Sequence, residues 1–156
     1  MATWPLSRAG VSVSVPCYDQ DMEIRIKSLN RTKFAAAVRG HELISDQPQA
    51  MGGSDNGPTP PEFLLISLGT CAGYYASQYL NNHGISAKDL EISVSAEKLT
   101  APARLGNFHV DVHAPGVPAG HEAGLLRAVN ACLIKNTLAQ PHTIETTLHS
   151  AALVAA

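Results

Sequence analysis

The sequence predicts an α+β protein, with antiparallel strands, a long helix, two more strands, a second helix and a final strand in that order. Two patterns carry this. Short segments alternate apolar and polar residues, as half-buried strands do, and one long segment is apolar at helical density. That segment opens at Gly57-Pro58-Thr59-Pro60-Pro61-Glu62, and the rest of the chain is organised around it. Thr59 and Glu62 match the Thr-x-x-Glu capping box. Pro60 suits the first helical position, where no amide hydrogen is needed. His83-Gly84 supplies a glycine stop after Asn82. Phe63, Leu64, Leu65, Ile66, Leu68, Cys71, Ala72, Tyr74, Tyr75, Tyr79 and Leu80 leave little polar face. A helix apolar nearly all round is buried on most sides, so Cys71 is expected in a shielded, mainly apolar place.

Ahead of this helix, Val11-Ser12-Val13-Ser14-Val15 and Met22-Glu23-Ile24-Arg25-Ile26-Lys27 alternate as strands, with a turn at 19–21. Residues 34–38 form a third strand and His41-Glu42-Leu43-Ile44-Ser45 a fourth, turning at Arg39-Gly40. An antiparallel meander is the simplest arrangement. Residues 46–58 read as a loop punctuated by Pro48, Gly52, Gly53, Gly57 and Pro58. A glycine-rich loop before a helix can cradle phosphate. This one lacks the Lys-Ser/Thr of a P-loop, and Glu62 would repel an anion at the helix start.

Beyond the helix, Leu90-Glu91-Ile92-Ser93-Val94-Ser95 and Phe108-His109-Val110-Asp111-Val112-His113 alternate again, with a turn expected at Gly106-Asn107. Residues 122–138 read as one helix, with Leu125, Leu126, Val129, Cys132 and Leu133 at helical spacing and Pro141 ending it. Residues 143–154, rich in Thr, Leu and Val, are the last strand.

A chain of 156 residues suits one domain, 1–156, and 45% hydrophobic residues supply a sizeable core. Only 15% of residues are charged, against the usual quarter, which fits a surface partly covered by another chain. The formal net charge of -2 gives no basic footprint and argues against nucleic-acid binding. The longest apolar run, 63–68, is too short to span a bilayer. Met1-Ala2-Thr3-Trp4-Pro5 shows no basic region leading into an apolar one, so a cytoplasmic protein with reduced thiols is expected. Three cysteines without a Cys-x-x-Cys are too few for a disulfide scaffold.

Cys71 and Cys132 fall mid-helix in the two expected helices. They read either as small core hydrophobes or as a redox pair, one thiol attacked and the other resolving it. Cys17, in Pro16-Cys17-Tyr18, is incidental. Glu62 reads either as a cap carboxylate favoured by the helix dipole or as a partner that orients an arginine beside the thiol. Nine residues separate Glu62 from Cys71, about 13–14 Å along a helix and on opposite faces. They meet only if the helix breaks or if Glu62 of one chain faces Cys71 of another; crossed helices in a homodimer are the simpler answer. His109, Asp111 and His113 share one strand face, and imidazole with carboxylate suits zinc. A solvated face opposite Phe108, Val110 and Val112 is the simpler reading, and no metal is expected. A hydrolase or transferase pairing Cys71 with His41 or His142 finds no Cys/His signature in its support.

Together, Asp46-Gln47-Pro48, Gly52-Gly53, Gly57-Pro58-Thr59-Pro60, Glu62, Gly69-Thr70-Cys71, Leu90-Glu91-Ile92 and Cys132-Leu133-Ile134-Lys135-Asn136 resemble the OsmC/Ohr family, the osmotically induced and organic hydroperoxide resistance proteins. The order holds from about Phe34 to the C-terminus and is closest to an OsmC-like branch. The resemblance implies an intertwined homodimer with long central helices packed against antiparallel sheets. It implies thiol peroxidase activity toward organic hydroperoxides, recycled by an external dithiol, with no metal or prosthetic cofactor. By position Cys71 resembles the peroxidatic cysteine, Cys132 the resolving one, and Glu62 the carboxylate that salt-bridges a catalytic arginine. Arg31, in Asn30-Arg31-Thr32-Lys33, lies nearest the distance at which the hydroperoxide-resistance branch carries an Arg-Asp-Gly turn; Arg39, before Gly40-His41, is the second candidate. Glu62 to Cys71 is one residue shorter than in that branch, and Leu133 stands where proline often follows the second cysteine.

Overall fold

The computed structural model describes residues 22–150. The strand expected at 11–15, the turn at 19–21 and Cys17 lie outside the described residues. Three strands, β1 (Arg25–Asn30), β2 (Lys33–Val38) and β3 (His41–Ser45), form an antiparallel meander in the order β1-β2-β3. The hairpin between β2 and β3 turns at Arg39-Gly40, both at positive φ (48° and 82°), as the sequence predicts. The first strand starts three residues later than the alternating pattern does, at Arg25.

The long helix α1 (Pro60–Asn82) has the expected bounds, with Thr59 as N-cap and Glu62 in the third position. Two longer strands follow, β4 (Glu91–Thr100) and β5 (Ala103–His113), paired antiparallel. Their turn is at Ala101-Pro102, not at Gly106-Asn107. Asn107 adopts φ 50° inside β5, where the register slips between Ser95 and Glu97. The left-handed tolerance of asparagine is thus used for a bulge rather than for a hairpin turn. The Asn107 side-chain amide donates to Glu97 Oε2 at 2.7 Å and ties the bulge across the ladder.

The second helix is two helices, α2 (Ala119–Asn130) and α3 (Leu133–Ala139). Cys132 is therefore not mid-helix. It is the N-cap of α3, at φ -53° and ψ 124°. Helical spacing of the apolar residues carries across the interruption, which is why periodicity alone joins the two. Residues 143–150 form no strand; Ile144 and Leu148 stand 89% and 86% exposed, and an extended segment needs a neighbouring edge to hold its backbone hydrogen bonds.

The core lies where α1 meets α2 and the β4–β5 sheet. Ala72, Ala76, Leu80, Leu125 and Val129 are buried together, with Ile92, Val110 and Val112 packed against them. On the sheet side of this core, Gly69 and Gly73 bring α1 close to β4: a Cβ on Gly69 would stand 3.0 Å from Val94 Cγ2, and one on Gly73 3.4 Å from Ile92 Cγ1. Within one chain, α1 buries only the stripe Leu68, Ala72, Ala76 and Leu80, not most of its circumference. Ile66 and Tyr74 are left about half exposed.

The β1–β3 sheet is likewise uncovered on its apolar face. Ile26, Phe34, Ala36, Val38, Leu43 and Phe63 line a hollow of about 490 Å³. Ile26 is 65% exposed in the single chain.

Candidate active site

Cys71 and Cys132 come together although they stand on different elements. Cys71 lies on the middle turns of α1, one residue before the fully packed Ala72. Cys132 lies at the kink between α2 and α3, which crosses α1 there. The Cys71 thiol is near enough to Cys132 to perturb it, and both thiols are free. Cys71 is half-buried and Cys132 is 0% exposed. Burial pushes the Cys132 thiol pKa up, and the neighbouring Cys71 thiol pushes it further; the backbone N–H of Lys135, donating to Cys132 Sγ at 3.4 Å, offsets part of this.

Glu62 caps its own helix. Its Oε2 accepts the Thr59 backbone N–H at 2.7 Å and the Thr59 hydroxyl at 2.8 Å. These two bonds, aided by the charge of Lys98, hold the Glu62 carboxyl below the usual carboxylate range. No arginine pairs with it among the described residues, where the ion pairs are Arg25 with Glu23 and His109 with Asp111. Since α1 is unbroken from Pro60 to Asn82, the helix-break route from Glu62 to Cys71 is closed.

The two candidate arginines sit at opposite ends of the meander. Arg31 is in the β1–β2 turn and Arg39 in the β2–β3 turn. Only the Arg31 end is joined to the loop that leads to Glu62. Asp46 makes that joint. It is 1% exposed, and it accepts from the Thr32 hydroxyl (2.9 Å) and from the backbone N–H groups of Gln47 (2.8 Å), Ser54 (3.0 Å) and Asn56 (3.3 Å). Burial pushes its carboxyl pKa up, but the four donors outweigh it and leave it lowered. Lys33 adds a second tether through its ammonium to Asn56 Oδ1. The loop is tight enough to require glycine: a Cβ on Gly53 would fall 1.8 Å from the Gln47 carbonyl oxygen, and one on Gly57 2.2 Å from that of Ile44. From the sequence this loop reads as turn punctuation and a weak phosphate cradle, and Asp46 enters only within the motif Asp46-Gln47-Pro48, with no role of its own. The available signal was a lone acid followed by Gln47-Pro48 at the end of a strand.

Between α1, β5 and the α2–α3 pair, Leu68, Ala72, Phe108, Val129, Lys135 and Leu138 line a cavity of about 430 Å³, and neither Cys71 nor Cys132 forms part of its wall. Its walls are mainly hydrocarbon. Lys135 bonds Asn130 Oδ1 through its ammonium at the cavity edge. His109 Nε2 lies 3.0 Å from Asp111 Oδ1 on the exposed strand face. No group of three or more His, Cys, Asp or Glu stands ready to hold a metal among the described residues. His142 Nε2 is bonded to the Thr137 carbonyl. No helix among those residues is long and apolar enough to cross a membrane.

The meander feeding a long capped helix and a second strand pair form the α+β architecture shared with solved OsmC/Ohr proteins. The sequence matches the OsmC-like protein family model over residues 52–147, more than half of the chain, and the protein belongs to that family. Its fold is similar to that of the OsmC-like protein of Mycoplasma pneumoniae (22% identity, TM-score 0.62), covering 78% of this chain and 89% of that one. It is also similar to the organic hydroperoxide resistance protein OsmC of Legionella pneumophila (15%, TM-score 0.57; 77% and 90% covered). The organic hydroperoxide resistance protein OhrB of Bacillus subtilis is a third (14%, TM-score 0.53; 74% and 90% covered). At these identities the likeness is one of fold. No curated protein is detectably similar to this chain in sequence.

Proposed function

We propose that this protein is a cysteine-based peroxidase that reduces organic hydroperoxides through the Cys71/Cys132 pair, as a homodimer and at the expense of an external dithiol. The observation that carries the reading is the proximity of two free thiols from different elements. Their environments support the division of roles. A thiolate is the attacking species, and Cys132, fully buried with its thiol pushed up, is suited to resolve rather than to attack. Cys71, the more accessible of the two, attacks the peroxide O–O bond. One oxygen stays on sulfur as Cys71 sulfenic acid, and the other leaves with the organic group as an alcohol. The Cys132 sulfur then displaces that hydroxyl as water, closing the disulfide. A dithiol returns both cysteines to thiols and is itself oxidised. The hydrocarbon cavity walled by Ala72, the residue after Cys71, suits an organic hydroperoxide better than hydrogen peroxide.

The homodimer reading rests on the bare apolar face of the β1–β3 sheet and on the half-exposed Ile66 and Tyr74 of α1. A second copy would cover both and bring its Glu62 and Arg31 toward Cys71. The same cavity supports a second reading, a dimeric protein that binds an apolar small molecule and whose cysteines are only core. Stopped-flow consumption of an alkyl hydroperoxide and of hydrogen peroxide by the reduced protein decides between them. A peroxidase consumes the alkyl hydroperoxide faster and loses two thiols per turnover; a binding protein consumes neither.

A further inference from the structure

The Cys132 sulfur holds two positions at once. It neighbours the Cys71 thiol, and it is the acceptor that caps α3 through the Lys135 N–H. Nothing else stands in for that cap. The first turn of α3 contains no acidic residue, the helix is seven residues long, and none of those residues is buried. So short a helix is marginal unless its ends are held. After Ala139 the chain to residue 150 has no helix or strand to anchor it.

We propose that the pair is a redox latch: the Cys132 thiol holds α3 closed, and formation of the Cys71–Cys132 disulfide releases it. Resting on the redox-pair reading above, the latch adds what the oxidised state does to the fold. When the sulfenic acid on Cys71 condenses with Cys132, water leaves and the Cys132 sulfur becomes covalently joined to α1. It turns away from Lys135, and the α3 amides lose their acceptor. The freed turn is the one that carries Lys135 and Leu138 into the cavity wall. It also covers the Cys132 side of the bond, where the sulfur is 0% exposed while α3 is capped. A dithiol that attacks there expels Cys71 as thiolate, ready for another peroxide. The second thiol of the dithiol then releases Cys132.

Amide hydrogen exchange on the full chain tests the latch, with the disulfide closed by diamide so that peroxidase activity is not required. Expected is exchange about five-fold faster at residues 133–139 in the disulfide form, the size of a lost helix cap, with α1 unchanged. Cys132→Ala should show the same fast exchange in α3 when reduced. Cys132→Ser, which keeps a capping oxygen but closes no disulfide, should stay slow with or without diamide. Unchanged or slower exchange of α3 in the disulfide form, or a protected α3 in Cys132→Ala, would overturn the latch. Failure of diamide to close the bond, read by intact mass, would overturn the redox-pair reading instead and the latch with it.

Discussion

Glu62 Oε2 lies 2.7 Å from the Thr59 amide nitrogen and 2.8 Å from its hydroxyl oxygen, so the carboxylate expected to face an arginine is engaged by its own helix start. Both bonds use one oxygen. Oε1 keeps its lone pairs for a donor from another chain, and an arginine that reached it would meet a carboxylate already fixed in place. Arg31 is the better candidate because its turn is tethered through Thr32 and Asp46 to the loop that ends at Thr59.

Replacing Arg31 with alanine is therefore expected to move the pH profile of Cys71 alkylation upward by about one to three pH units, the usual effect of removing a charge beside a partly buried thiolate. Arg39→Ala should leave it in place. Iodoacetamide labelling rates from pH 5 to 10 measure both. An unmoved profile in Arg31→Ala would remove arginine assistance from the mechanism.

Cys71→Ser should abolish peroxide turnover. Cys132→Ser should still consume one equivalent of alkyl hydroperoxide but accumulate sulfinic and sulfonic acid on Cys71, since no neighbouring thiol resolves the sulfenic acid. Peptide mass spectrometry after one equivalent of peroxide should find Cys71 joined to Cys132 in the parent. A bond from Cys71 to Cys17 would reassign the resolving role.

The parent should sediment as a dimer at micromolar concentration. Ile26→Glu, which sets a charge in the open apolar face of the β1–β3 sheet, should shift it to monomer, because a desolvated and unpaired carboxylate costs several kcal/mol. Sedimentation velocity reads the result directly. A parent that stays monomeric at all concentrations would sink the cross-chain site.

Asp46 sets a pH limit on the loop. Its folded pKa is depressed below the ordinary value, so its contribution is complete above about pH 4 and is lost as pH falls through the folded pKa. Exchange of the Ser54 and Asn56 amides should therefore accelerate, relative to the intrinsic rate, only at strongly acidic pH. Asp46→Asn should remove this pH dependence and leave the loop loosened throughout. NMR-detected exchange between pH 2 and 6 separates the two. A Gly53→Ala variant should damage the loop at any pH, because its Cβ would overlap the Gln47 carbonyl and backbone does not step aside cheaply.

What the sequence reveals depends on how local the cause is. Thr59, Pro60, Glu62 and Gly84 act within a turn or two of where they stand, and the bounds of α1 are legible from them. The same is true of β2 and β3, whose alternation and Arg39-Gly40 turn are short-range. The break at Cys132 is not legible, because it depends on a sulfur accepting the Lys135 N–H, and cysteine is not among the usual capping residues. The bulge at Asn107 depends on register across a partner strand. The start of the last expected strand, residues 143–150, has strand-favouring composition but pairs with nothing among the described residues. For the site, the resemblance supplied the two cysteines; their proximity is a tertiary fact. No arginine pairs with Glu62 among the described residues, where its carboxylate is held by Thr59 instead.

The two glycines that flank Cys71 have a mechanical consequence. Gly69 and Gly73 stand two residues to either side of it and therefore on the opposite side of the helix. They rest on Val94 and Ile92, with no side chain of their own between helix and sheet. They act as a shim of minimum thickness. A methyl added at Gly69 would press on Val94 and lift this stretch of α1 off the sheet, carrying the Cys71 sulfur with it against the fixed kink that holds Cys132. The alignment of the two sulfurs is thus adjusted from the far side of the helix, by atoms that are missing there.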